Sequence, residues 1–175
     1  KVVLELGGNA GVIVEPDADI EFAAQRCAIG GFGYAGQTCI SVQRIFVHHS
    51  IADLFTTKFL LQVARLKAGD PSDDSTVVGP LINPDATHRL ESWIGEAISQ
   101  GARVLLGGKR MGSVMEATVL SHVTPTMKVS CREVFGPVVT VTPYRHFGEA
   151  ITALNQSDYG LHAGIFTQDV NKIFH

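Results

Sequence analysis

The stretch Val12–Ala28, VIVEPDADIEFAAQRCA, sets the rhythm of the whole chain. Val12 to Val14 is a short apolar, β-branched run. Pro16 with Asp17 and Asp19 signals a turn and a helix N-cap, and Ile20, Ala23, Ala24, Cys27 and Ala28 then recur at helical spacing. The unit reads as strand, turn, helix. Downstream, Ser41 to His48 reads as a buried strand, rich in β-branched and aromatic residues. Ser50 is a good N-cap for a helix with an apolar face of Ile51, Leu54, Phe55, Phe59, Val63 and Leu66, ended by Gly69.

The same alternation continues to the end of the chain. The segment GDPSDDSTVVGPLINPD reads as a polar surface loop, and Asn83-Pro84 supplies an N-cap and first helical residue for a helix through Leu90, Trp93, Ile94, Ala97 and Ile98 to Gly101. Arg103 to Leu106, Ala117 to Leu120, Val138 to Tyr144 and Ala163 to Thr167 read as strands. Phe147 to Ser157 reads as a helix, and Gln168 starts another. Strands alternating with helices of ten or more residues predict an α/β fold, a three-layer, mostly parallel sheet flanked by helices. Ligands of such sheets tend to sit beyond the carboxyl ends of the strands, so loops after strands are the first places to look for chemistry.

Composition narrows the function classes. The 175 residues are 45% hydrophobic and only 18% charged, against roughly 25% charged in an average soluble domain. Disorder is excluded, and the sparse charge suits a piece that packs against more protein. A net charge of −3, with 14 Lys+Arg spread along the chain, removes the electrostatic footprint of a nucleic-acid or anionic-membrane binder. No apolar run approaches the roughly 20 residues of a membrane span. Cys27, Cys39 and Cys131 form no CxxC pair, which fits a reducing, cytoplasmic setting. The first residue is Lys1, and the final DVNKIFH reads like the opening turns of a helix. Both ends suggest an excerpt from a longer polypeptide.

Gly31, Gly33 and Gly36 match G-x-G-x-x-G in letters, but a helix precedes and a strand follows. A dinucleotide fingerprint needs the reverse order, so a flexible loop allowing close backbone approach is the better reading. That loop ends in Gly36-Gln37-Thr38-Cys39. A cysteine at a glycine-rich junction can present its sulfur beside free backbone N–H groups, which lower a thiol pKa and stabilise an oxyanion. The alternative is a small buried hydrophobe. Cys27 and Cys131 look structural or incidental. Histidines offer no metal spacing, since His48 and His49 on one strand should point to opposite sides, and an extended segment would place His48 roughly 30 Å from Cys39.

Two carboxylates stand out. Glu5 lies among Val2, Val3, Leu4 and Leu6, just before Gly7-Gly8. It is either desolvated and suited to general-base work or on the exposed face of an edge strand, and strand alternation favours the latter. Glu133 and Phe135, two residues apart before Gly136-Pro137, would share one side of an extended segment, fit for a sugar hydroxyl and a flat ring. The alternative is a surface glutamate beside a core phenylalanine.

Taken in order, LELGGN at Leu4 to Asn9, GQTC at Gly36 to Cys39, GDP at Gly69 to Pro71, GPLIN at Gly79 to Asn83, EVFGPV at Glu133 to Val138 and the YGLHAGIFT ending resemble the NAD(P)-dependent aldehyde dehydrogenase superfamily. The similarity spans essentially the whole chain. It implies that Cys39 is the nucleophile and Glu5 the general base of an aldehyde oxidation through a cysteine thiohemiacetal and thioester. It further implies that Glu133 binds the nicotinamide ribose of NAD or NADP, that Phe135 packs near the nicotinamide ring, and that Gly7 belongs to the cofactor-binding set.

By this resemblance residues 1–175 are the catalytic domain, truncated at both ends. The Rossmann-like cofactor domain, the asparagine that completes the oxyanion hole and the oligomerisation strand lie outside it. A full-length homo-oligomer acting on a small aldehyde is implied, with the isolated piece inactive. Asn9, Arg132 and Ala117 depart from common family residues without removing a catalytic group. LGGNA and CISVQR point to the branch handling small hydroxy-, phosphono- or similarly polar aldehydes. Two other readings are a CoA-acylating relative, which a hydrolytic Glu5 argues against, and a non-catalytic structural module.

Overall fold

The computed structural model describes residues 1–174. In chain order the elements are β1 (Ala10–Val14), α1 (Ile20–Phe32), β2 (Val42–His48), α2 (Ala52–Val63), β3 (Lys67–Ala68), β4 (Thr76–Val78), α3 (Pro84–Ser99), β5 (Arg103–Leu106), β6 (Arg110–Met111), β7 (Val114–Met115), β8 (Thr118–Ser121), α4 (Lys128–Cys131), β9 (Val138–Tyr144), α5 (Phe147–Asn155), β10 (Ala163–Phe166) and α6 (Val170–Ile173). Six strands form one sheet in the order β10-β1-β2-β9-β8-β5. Every pairing in it is parallel except β5 against β8. The expected α/β architecture is therefore present.

Helices cover both faces, and the strand period decides which residues meet them. Val12, Val14, Ile45 and Val47 belong to a core shared with α1, α2 and α3. Ile13 and Phe46, the intervening residues, join Tyr144 and Ala150 in a second core under α5. The path β1-α1-β2 runs one way along the sheet and β9-α5-β10 runs back the other way. Crossovers of one hand then place α1 and α5 on opposite faces. Phe59 of α2 stacks on Phe32 of α1 at a centroid distance of 6.4 Å, a contact that locks the two helices, and on Phe55 of its own helix at 5.7 Å, each pair worth about 1 kcal/mol beyond burial.

Caps follow the local chemistry. The Asp19 carboxylate accepts the Phe22 N–H at 3.0 Å, and the Asn83 side chain accepts the Ala86 N–H at 2.8 Å with Pro84 in the first turn. Four details depart from the sequence reading. Ser50 lies in a short 3-10 turn, His49–Ile51, rather than capping α2, and Leu54 is exposed because the buried face is Phe55, Phe59 and Val63. The polar loop after Gly69 contains β4, which pairs with β3. His48 and His49 do not diverge: His49 has left the strand, and the two rings lie 4.5 Å apart.

Candidate functional site

Cys39, Glu133, Phe135 and Gly7 all lie on segments that lead into strands, before β2, β9 and β1. The candidate site therefore sits at the amino-terminal edge of the parallel strands, not beyond their carboxyl ends as the sheet rule suggested. The other edge holds a structural cluster instead. There the buried Glu15 carboxylate accepts hydrogen bonds from the Tyr144 hydroxyl and the Lys172 ammonium.

The Cys39 turn is built from strained and anchored backbone. After α1 the chain takes three left-handed residues in succession, Tyr34 (φ 52), Ala35 (φ 55) and Gly36 (φ 68). Such conformations cost non-glycine residues of order 1 kcal/mol or more, so surrounding contacts must hold them. A side chain at Gly36 would place its Cβ 2.2 Å from the Gly136 carbonyl oxygen. The Gln37 amide donates to the Pro80 carbonyl at 3.3 Å and accepts the Ile82 N–H at 2.9 Å. Ser41 Oγ donates to the Gly31 carbonyl at 3.2 Å, and the Ser41 N–H closes a turn onto the Thr38 carbonyl at 3.0 Å. Cys39 sits inside that turn with a free, half-buried thiol. Among the described residues its backbone N–H has no hydrogen-bond partner. Cys27 differs sharply, because burial in the α1 face pushes its thiol up to about 12.

Gly8 joins the two ends of the site. A Cβ on Gly8 would fall 1.9 Å from the Cys39 carbonyl oxygen, so the Leu4–Asn9 segment can lie against the cysteine turn only with glycine there. The Gly8 N–H donates to Glu133 Oε1 at 2.8 Å. Gly7 lies alongside, where a Cβ would be 2.9 Å from Glu133 Oε2 and 3.1 Å from Tyr159. Glu5, three residues before Gly8, is exposed, as are Val2, Val3, Leu4 and Leu6. This stretch is not a strand, so the desolvating apolar neighbours and the edge strand envisaged for Glu5 are both absent among the described residues.

Glu133 is half-buried. Phe135 is 40% exposed and itself left-handed at φ 49. That bend breaks the extended segment from which a shared side was expected, so alternation does not place the pair. The carboxylate and the exposed ring nonetheless remain two residues apart on a loop that reaches the Cys39 turn through Gly8 and Gly36.

Residues that sequence reasoning passed over hold this arrangement. Gln43, buried on β2, accepts the Val134 N–H at 2.9 Å and donates to the Val129 and Arg132 carbonyls at 3.0 and 2.7 Å. Arg89 on α3 donates to the Val134 carbonyl at 2.9 Å. The Asn9 amide donates to the Ser130 carbonyl at 2.7 Å. Arg44 is buried, which lowers its pKa by desolvation, and binds the carbonyls of Asn9, Ala153 and Leu154 at 2.9, 3.0 and 3.0 Å. Two polar residues inside the apolar run VQRIFV were the available signal for Gln43 and Arg44, since polar groups are buried only with partners.

Among the described residues no group of three His, Cys, Asp or Glu side chains is placed to hold a metal ion, and no helix is long and apolar enough to cross a membrane. What the site can offer is a thiol on a fixed turn, an unpaired N–H beside it, and a carboxylate and flat ring on an adjoining loop.

Comparison with known proteins gives a consistent picture. The sequence profile described as aldehyde dehydrogenase family matches residues 1–175. A 3-sulfolactaldehyde dehydrogenase from Priestia aryabhattai is 46% identical over 170 residues, covering 97% of this chain and 36% of the relative. Among solved structures, lactaldehyde dehydrogenase from Escherichia coli superposes with a TM-score of 0.94 at 36% identity, over 97% of this chain and 36% of that one. An NADP-dependent glyceraldehyde-3-phosphate dehydrogenase from Bacillus halodurans, complexed with NADP, gives 0.93 at 38% identity, over 97% and 36%. The chain thus spans a little over a third of the length of these relatives.

Proposed function

Since the chain belongs to the aldehyde dehydrogenase family, we propose that its 175 residues are the catalytic domain of a longer NAD(P)-dependent enzyme that oxidises a small polar aldehyde to its carboxylic acid. The observation that carries this reading is the position of Gly8, packed on the Cys39 carbonyl and hydrogen-bonded to Glu133. It brings a nucleophile, a base-bearing segment and a cofactor-type carboxylate to one edge of the sheet.

Cys39 attacks the aldehyde carbon as the thiolate, forming the C–S bond while the carbonyl electrons move to oxygen. The unpaired Cys39 N–H is in place to donate to that oxyanion, a contact typically worth about 3 kcal/mol in acyl transfer. The fit to a nicotinamide cofactor is one of chemistry. Glu133 keeps Oε2 free of the Gly8 bond to accept from a ribose hydroxyl, and Phe135 offers an exposed flat face. Glu133 and Phe135 would hold NAD or NADP, which when bound would supply the acceptor for the hydride. Cys39 then holds the acyl group as a thioester. Glu5, exposed and without a partner among the described residues, removes a proton from the water that hydrolyses it. Gly7, with no side chain beside Glu133, leaves room for the cofactor on that side.

The relatives named for lactaldehyde and 3-sulfolactaldehyde favour a hydroxy-substituted aldehyde as substrate. Exposed Tyr34, Ile40 and Ile82 fit contacts with the cofactor domain of the same polypeptide and a partner subunit in a homo-oligomer, and three free cysteines suit the cytoplasm. The test is turnover by the full-length protein. Aldehyde-dependent reduction of NAD or NADP, lost in Cys39→Ser, is the expected result, and retained turnover in that variant rejects Cys39 as nucleophile. Acid rather than acyl-CoA as product, with CoA present, separates this reading from CoA acylation.

A further inference from the structure

We infer that Gln43 is a positioning residue for cofactor binding, holding the loop of Glu133 and Phe135 at a fixed distance from the Cys39 turn; this rests on the reading of Glu133 proposed above. Residues 132–137 contain no regular secondary structure, so their own backbone ladder cannot place the Glu133 carboxylate. Something with fixed coordinates must. Gln43 is on β2, a central strand paired on both sides by β1 and β9, and only four residues beyond Cys39. Its position is therefore set by β2, the strand into which the cysteine turn leads.

The amide spends all its hydrogen-bonding capacity on that loop and on the end of α4 that leads into it. Oε1 takes the Val134 N–H at 2.9 Å, and Nε2 gives its two protons to the Val129 and Arg132 carbonyls at 3.0 and 2.7 Å. Acceptor and donors face opposite kinds of group, so one amide orientation alone satisfies all three. These bonds fall on both sides of Glu133, at 132 and 134, and thus fix the direction in which its side chain leaves the backbone. Arg89 holds the same loop from α3 and Asn9 holds the end of α4 just before it, but neither is on β2, the strand into which the Cys39 turn leads. A glutamate at this position keeps the acceptor for Val134 and sets oxygen against two carbonyls, while leucine keeps the volume and removes all three bonds.

The experiment compares Gln43→Leu, Gln43→Glu and Glu133→Ala in the full-length enzyme. It reads KM for NAD or NADP, kcat, melting temperature and the rate of Cys39 alkylation without cofactor. The expected result is a rise of about tenfold in cofactor KM for both Gln43 variants, with the alkylation rate of Cys39 within about twofold of the parent and Glu133→Ala showing a KM rise of its own. If Gln43→Leu leaves the cofactor KM unchanged while Glu133→Ala raises it, the inference fails and the reading of Glu133 stands. If Glu133→Ala leaves KM unchanged, both fail. Equal losses in KM, alkylation rate and melting temperature in both Gln43 variants make Gln43 a structural residue and also overturn the inference. Should neither Gln43 variant fold, Gln43→Asn shortens the reach by one methylene, and the same split between cofactor KM and alkylation rate decides.

Discussion

The Glu133 carboxylate accepts the Gly8 N–H at 2.8 Å across 125 residues of sequence. That bond ties the segment carrying Glu5 to the loop carrying Phe135, and the same glycine rests on the Cys39 carbonyl. Gly8→Ala adds a Cβ 1.9 Å from that oxygen, a distance no relaxation of side chains alone can relieve. We expect a loss of stability of about 1–3 kcal/mol from overpacking and a fall in turnover of about 100-fold, since a shift near 1 Å costs that much. Thermal melts and steady-state rates of the full-length variant check both.

Thiol chemistry separates the three cysteines. At pH 8 a thiol raised to about 12, as Cys27 is, exposes only on the order of 0.0001 of itself as thiolate, and it is buried as well. Limiting iodoacetamide followed by peptide mapping should label Cys39 first, well ahead of both Cys27 and Cys131. Labelling of all three at one rate favours an inert module over a nucleophile.

The isolated 175-residue chain should not convert aldehyde and NAD to NADH at a measurable rate. Hydride transfer needs an acceptor held in place, and positioning alone is worth on the order of 7 to 11 kcal/mol. Absorbance at the nicotinamide band, with the purified chain and an excess of lactaldehyde, is a direct check; appreciable turnover would falsify the proposal that turnover needs a cofactor domain beyond these 175 residues.

Alkaline pH should loosen the far edge of the sheet. Burial first, and then the bond to Glu15, raises the Tyr144 hydroxyl above its ordinary value of 10.0. The Lys172 ammonium is raised above 10.5, chiefly by its bond to Glu15. A folded-state pKa above the unfolded one contributes stability that is whole below the unfolded value and is lost as pH rises through the folded one. The loss therefore begins near pH 10 and deepens above it. Comparing melting temperatures at pH 9 and 11, Glu15→Gln should show a smaller drop than the parent, because the Lys172 shift depends chiefly on that carboxylate and the Tyr144 shift depends on it in part. At pH 7, Lys172→Met leaves Glu15 buried without its cation and should cost about 1–3 kcal/mol.

Much of the fold was readable locally. Arg103–Leu106 and Val138–Tyr144 begin and end where their apolar runs do, and α3 starts at the Asn83-Pro84 signal. These elements are decided by neighbours in sequence. Leu54 and Ser50 misled because helix phase and cap depend on which face meets Phe32, and that contact comes from another helix. Similarly, Phe135 was expected on an extended segment, whereas packing of Gly136 against Leu90 and Gly36 surrounds a left-handed bend.

By itself the sequence determined the α/β alternation, the caps at Asp19 and Asn83 and, through LELGGN, GQTC and EVFGPV, the family. Hydrophobic period and motif letters are properties of short stretches, so one dimension suffices for them. Tertiary structure alone decided that the candidate site lies at the amino-terminal edge of the strands, that Gly8 joins Cys39 to Glu133, and that Gln43 and Arg44 are buried with partners. Each of these depends on a contact between residues far apart in the chain. Which carbonyl a buried amide will find, or which glycine has no room for a methyl group, is set by packing of distant segments rather than by any residue's neighbours.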